Sequence, residues 1–209
     1  MAGASERERG KPSTDDRQLR RAPNNMSIRL VVTGCPRSGT KYTTEVFKSL
    51  GLKAGHEECF TPEKHSITGC ANEVEASWLA APFLASLPAN VFVIHQVRNP
   101  ISVIRSLVDG RHLSFDSSYS GFVYSYLTSL PRGSLPPKED QKRAEEFWMK
   151  WNWFIECGLA QRRRARWKVE DVMTANIPPD CNTWGRTSPL VCPLQSATIT
   201  TARRYGYTI

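Results

Sequence analysis

From Gly34 to Lys41 the chain reads Gly-Cys-Pro-Arg-Ser-Gly-Thr-Lys, with a cation and hydroxyls held between and beside two glycines. Glycines let a backbone approach a phosphate closely, and a helix that starts there offers unpaired N–H groups and the positive end of its dipole. The spacing Gly34-x-x-x-x-Gly39 is the outer frame of a Walker A loop, but the ending differs. A Walker loop closes with Gly-Lys-Ser/Thr, where the hydroxyl holds Mg²⁺ and the lysine reaches the terminal phosphates. This loop closes with Gly39-Thr40-Lys41, and its inner cation is Arg37. That order suits phosphate binding without a metal. A second group, Arg98-Asn99-Pro100 with Ser106, sets a guanidinium ahead of a helix and a hydroxyl about two turns along it. Read alone, Arg98 could equally be a surface cation and Ser106 a neutral helix position.

The elements that must position these residues are legible. Residues 28–33 (I-R-L-V-V-T) form a β-branched run that reads as a buried strand, followed by a helix over 40–50 that stops at Gly51. A short strand is expected over 52–55. Residues 72–87 read as a helix capped by Asn72 and kinked at Pro82. Residues 91–97 (V-F-V-I-H-Q-V) read as a second core strand. Asn99 as cap and Pro100 at the first helical position start the next helix. A loop over 114–137, a long helix over 138–164, a strand over 166–169, an irregular stretch over 180–193 and a closing helix over 200–207 complete the pattern. Alternating strands and helices imply an α/β fold with a parallel sheet covered on both faces.

The chain has 209 residues, enough for one domain, with a formal net charge of +8. That balance favours an anionic partner without choosing among nucleic acid, membrane surface and phosphorylated ligand. Residues 1–25 mix charges of both signs, lack periodic apolar positions and read as a disordered tail. Met26 is an alternative start. Residues 26–209 are then a single domain. Six cysteines form no C-x-x-C pair and no zinc spacing. No secretory signal or membrane-length apolar run is visible, so free thiols in a reducing cytoplasm are expected.

Cys35-Pro36-Arg37-Ser38-Gly39-Thr40 resembles the loop with which sulfotransferases cradle the 5′-phosphosulfate of 3′-phosphoadenosine 5′-phosphosulfate. Arg98-Asn99-Pro100 with Ser106 resembles the same family's 3′-phosphate site, where an Arg at a strand end and a Ser eight residues later hold that phosphate. Gly55-His56-Glu57-Glu58 resembles the Gly-His-Glu of microbial members. Weaker likenesses lie in Trp148-x-x-Trp151-Asn152, in Lys168-Val169-Glu170-Asp171-Val172 and in Ala202-Arg203-Arg204-Tyr205-Gly206-Tyr207. The family often has Thr at position 41 and Asp at position 102, where this chain has Lys41 and Ser102.

The resemblance implies a three-layer α/β/α fold of the P-loop NTPase-like sulfotransferase type. It implies donor binding by Pro36, Arg37, Ser38, Gly39, Thr40, Lys41, Arg98 and Ser106, with Arg37 also stabilising the leaving phosphate. Sulfuryl transfer needs the acceptor's proton removed, a role for Glu57 with His56 as the alternative. The acceptor would be a hydroxyl or amine of a small molecule or glycan, with no metal, nucleic acid or membrane span involved.

Two rival readings follow from the residues. A P-loop kinase would bind Mg·ATP and need an Asp at a strand end, where residues 91–97 offer His95 and Gln96. A nucleic-acid-binding protein would use Arg162-Arg163-Arg164 with Arg166 and Trp167.

Overall fold

The computed structural model describes residues 28–113, 118–172 and 192–209. The tail expected over 1–25 and most of the irregular stretch expected over 180–193 lie outside them. Five strands form one wholly parallel sheet: β1 (Leu30–Gly34), β2 (Ala54–His56), β3 (Val74–Ala76), β4 (Phe92–Val97) and β5 (Arg164–Lys168). Their order is β2-β3-β1-β4-β5, which puts β1 and β4 side by side at the centre, with Thr33 opposite His95 and Gly34 opposite Gln96.

Central parallel strands are buried on both faces, which is why β1 and β4 read as predominantly apolar runs. Helix α1 (Thr40–Ser49) covers one face, where Phe47 packs on Val32, Val74 and Ile94. The opposite face carries α2 (Pro100–Asp109), α3 (Ser118–Tyr126), α4 (Pro137–Gly158) and α6 (Ser196–Arg204), packed around Val31, Val93, Trp148 and Trp151. A short α5 (Val169–Val172) follows β5 directly. This is the expected α/β layering.

Four expectations are corrected. Residues 72–87 are not one helix: they supply β3 and then a 3₁₀ helix over Trp78–Ser86. Val74 and Ala76 pair with strands on both sides, and Ser77, not Asn72, caps the 3₁₀ turn by accepting from the Leu79 amide at 3.2 Å. Pro82 lacks an amide hydrogen and sits within the tighter helix. The expected loop over 114–137 contains α3, held by buried Phe122, Val123 and Tyr124. Helix α4 ends at Gly158, because Arg164 onward is recruited as β5 beside β4. Finally, Cys59 and Cys70 are joined in a disulfide, so not all cysteines are free thiols; Cys35, Cys157 and Cys192 are free.

Candidate functional site

The tip of β1 turns sharply. A Cβ on Gly34 would lie 2.3 Å from the Gln96 carbonyl oxygen and 2.5 Å from Ser38 Oγ, so no side chain fits there. Arg37 has φ 71° and Gly39 φ 94°, both left-handed, and Gly39 stands at the N-terminus of α1 without a side-chain cap. The first amides of α1 and its dipole therefore face the loop unshielded by a capping side chain. Ser38 is buried, and its hydroxyl has no partner among the described residues.

Gln96 fixes this loop from below. Its amide nitrogen donates to the Ser38 carbonyl at 2.9 Å, and its oxygen accepts from the Thr43 hydroxyl and from the Trp167 indole, the latter at 3.1 Å. Thr44 donates to the Gly55 carbonyl at 3.2 Å and so ties α1 to β2. A lone Gln in an apolar strand was the available signal for this role. It stands where a metal-binding Asp would in a kinase, and here it anchors the loop.

The segment around Arg98 and Ser106 meets the loop that follows β1. Asn99 caps α2 by accepting from the Ile101 amide at 3.0 Å, and Pro100 occupies the first turn, as the sequence implies. Arg37 Nε donates to Ser106 Oγ at 2.7 Å, and Arg98 donates to the Arg37 carbonyl at 2.9 Å. Two segments that are 61 residues apart thus share one patch at the tips of β1 and β4. Burial lowers the Arg98 pKa to about 10, with the nearby Arg37 charge adding and Glu170 opposing. The group stays cationic at neutral pH. Glu170 accepts from the Asn99 amide at 2.8 Å and from the Tyr207 hydroxyl at 2.9 Å, binding α2 to the C-terminal end of the chain.

The end of β2 brings in His56 and Glu57. His56 Nε2 lies 3.1 Å from the Thr40 hydroxyl and 3.5 Å from a Glu57 oxygen. Burial, reinforced by Lys41 and Lys48, lowers the His56 pKa to about 4, so the ring is neutral at pH 7. Burial raises the Glu57 carboxyl, with the charge of Glu75 adding, while hydrogen bonds from Trp78 and Tyr119 oppose the shift. Glu57 itself has φ 56°. Its turn is held by buried Glu75, which accepts from the amides of Glu58 at 2.8 Å and Cys59 at 3.0 Å. Lys41, by contrast, is exposed on α1.

Comparison with protein-family models, curated proteins and solved structures finds no match to this chain. The site therefore stands on its geometry. Arg37, Ser38, Gly39, Thr40, His56, Glu57, Arg98 and Ser106 converge at the carboxyl ends of β1, β2 and β4. Pro36 belongs to the same loop and is half-buried. Glu75, Gln96, Tyr119 and Glu170 support the site, a role the sequence alone does not assign to them. The arginine run has other duties: Arg162 donates to the Pro88 carbonyl at 3.1 Å and also to that of Leu87, while Trp167 stacks on Phe47.

Proposed function

We propose that the chain is a sulfotransferase that takes the sulfuryl group of 3′-phosphoadenosine 5′-phosphosulfate, with the fold belonging to the P-loop-like sulfotransferase type. The observation that carries this reading is the contact of Arg37 with Ser106 and of Arg98 with the Arg37 carbonyl. One patch holds a phosphate loop and a second cationic group close enough for one small nucleotide. The unpartnered Ser38 hydroxyl and the space enforced at Gly34 suit a phosphate lying against the loop amides.

In this reading Ser38, Thr40 and the loop amides hold the 5′-phosphate, and Arg98 with Ser106 holds the 3′-phosphate. The acceptor oxygen attacks sulfur in line and forms the new S–O bond. The bond from sulfur to the 5′-phosphate oxygen breaks, and its electron pair stays on the leaving adenosine 3′,5′-bisphosphate. Arg37 stabilises that developing charge. Glu57 takes the acceptor proton. Its raised pKa makes it a better base than an ordinary carboxylate, and His56 is occupied with Thr40.

The test is calorimetric titration with adenosine 3′,5′-bisphosphate, then transfer of labelled sulfate to a panel of sugars, phenols and amines. Binding of the bisphosphate without magnesium, lost on Arg98→Ala, is the expected result. Tighter binding of Mg·ATP would favour a kinase-like protein instead.

A further inference from the structure

A cavity of about 500 Å³ opens beside β5, between that edge of the sheet and the C-terminal parts of α4 and α6. It lies within the size range of ordinary ligand sites. Strand alternation turns Arg164 and Arg166 toward it, while Trp167 faces α1. Arg204 of α6 completes its wall. Glu156 of α4 binds Arg166 with one oxygen and Arg204 with the other, the latter at 2.8 Å. Arg166 is also stacked over the Tyr205 ring at 4.8 Å. The guanidiniums are thus held in place rather than free to sweep through solvent, yet 40% of Arg166 and 65% of Arg204 remain exposed.

Three guanidiniums against one carboxylate leave two positive charges uncompensated in this cavity. The buried ring of His95, at the floor, is neutral near pH 7 and adds none. At the rim stands Trp153, 62% exposed, an unusual position for the largest apolar side chain. Fixed guanidiniums recognise sulfate, phosphate or carboxylate groups, and an exposed indole offers a platform for the face of a ring.

We propose that this cavity is a second ligand site, distinct from the strand-tip patch, for a ring compound bearing a sulfate or phosphate group. The anion pairs with Arg164, Arg166 and Arg204 while the ring lies on Trp153. A sulfated sugar and a nucleoside monophosphate share this chemistry. The site stands whether or not the strand-tip patch transfers sulfate.

Cys157, an exposed free thiol, lines the cavity and reports on its occupancy. Alkylation by iodoacetamide is followed by peptide mass spectrometry in the full chain, with Cys192, also free, as internal reference. The probes are glucosamine 6-sulfate, adenosine 5′-monophosphate and inorganic sulfate. At least one ring compound at millimolar concentration should slow Cys157 alkylation about tenfold and leave Cys192 unchanged. Which of the two protects more strongly separates sugar from nucleotide. Protection should vanish in Arg204→Gln and Trp153→Ala, return in Trp153→Phe, and persist in Arg98→Ala. The proposal is overturned if neither ring compound protects, if inorganic sulfate protects as well as both, or if protection depends on Arg98 and not on Trp153.

Discussion

Arg98 donates to the main-chain carbonyl of Arg37 at 2.9 Å, so a side chain at the tip of β4 acts on the backbone of the loop after β1. Removing the two side chains should therefore have unequal effects. Arg37→Ala deletes one cation and its bond to Ser106, but keeps the carbonyl that Arg98 grips. Arg98→Ala deletes a cation and also releases the loop. Affinity for adenosine 3′,5′-bisphosphate should fall about tenfold in Arg37→Ala and about a hundredfold in Arg98→Ala, by calorimetry. Equal losses would mean that the backbone contact contributes nothing to the site.

Gln96 is fully buried and serves three partners: Ser38, Thr43 and Trp167. Gln96→Leu has nearly the same volume but leaves a carbonyl, a hydroxyl and an indole N–H without it. Loss of roughly 2–4 kcal/mol in urea unfolding is expected. Gln96→Glu still accepts from Thr43 and Trp167 but cannot donate to Ser38 when ionised. The two variants should differ in ligand affinity as well as stability. A Gln96→Leu protein as stable as the parent would contradict the anchoring role.

The sequence announced the elements whose local chemistry is self-sufficient. Asn99 and Pro100 define the start of α2 by capping and fixed φ, and β1 and β4 carry apolar runs that only buried strands explain. The convergence of Arg37, Arg98 and His56 followed from placing their loops at the ends of parallel strands. What escaped was decided by partners distant in sequence. Val74–Ala76 is three residues long and is a strand because β1 and β2 flank it, not because of its own pattern. Glu75 looked like one acid among several, yet the fold buries it to hold the amides after Glu57. Helix α3, with five aromatic or β-branched residues among nine, gains its stability from packing against Trp78 and Trp151.

Acid should destabilise the protein through its buried histidines. His95 and His56 have folded pKa values of about 4 against an ordinary 6.5. Between those values protons bind the unfolded chain more readily, so stability present above pH 6.5 is lost as pH falls toward 4. For His95, which is almost wholly buried, the loss amounts to roughly 3 kcal/mol at most. Glu57 and Glu75 act in the opposite direction, since their raised carboxyls favour the fold as they take up protons. The histidine contribution is isolated by comparing urea midpoints of parent and His95→Gln at pH 7 and pH 4.5. The variant should lose less on acidification; an identical loss would rule His95 out as the source.

The Cys59–Cys70 bridge closes a loop of 11 residues' separation directly after the His56–Glu57 turn. Chain-entropy reasoning gives such a crosslink about 3 kcal/mol. Reduction, or the double change Cys59→Ser with Cys70→Ser, should lower the urea midpoint accordingly. The anchorage of the turn by Glu75 remains, so affinity for adenosine 3′,5′-bisphosphate, set at β1 and β4, should change less than about threefold. A large loss of affinity for the bisphosphate would show that the turn and the loop over 34–41 are not independently held.

Glu170 separates the electrostatic from the geometric support of Arg98. Its two oxygens accept from the Asn99 amide and from the Tyr207 hydroxyl, while its charge offsets that of Arg98. Glu170→Gln can keep both contacts, because its oxygen accepts from the amide and its nitrogen can donate to the tyrosine oxygen. The offsetting charge is gone, so affinity for adenosine 3′,5′-bisphosphate should rise a few fold and become more sensitive to salt. Glu170→Ala removes charge and contacts together, freeing the start of α2 and the C-terminal Tyr207. Its affinity should fall below that of Glu170→Gln despite the same net charge. If the two variants bind alike across a salt series, the carboxylate matters at this site through its charge alone, and the bridge to Tyr207 does not position Arg98.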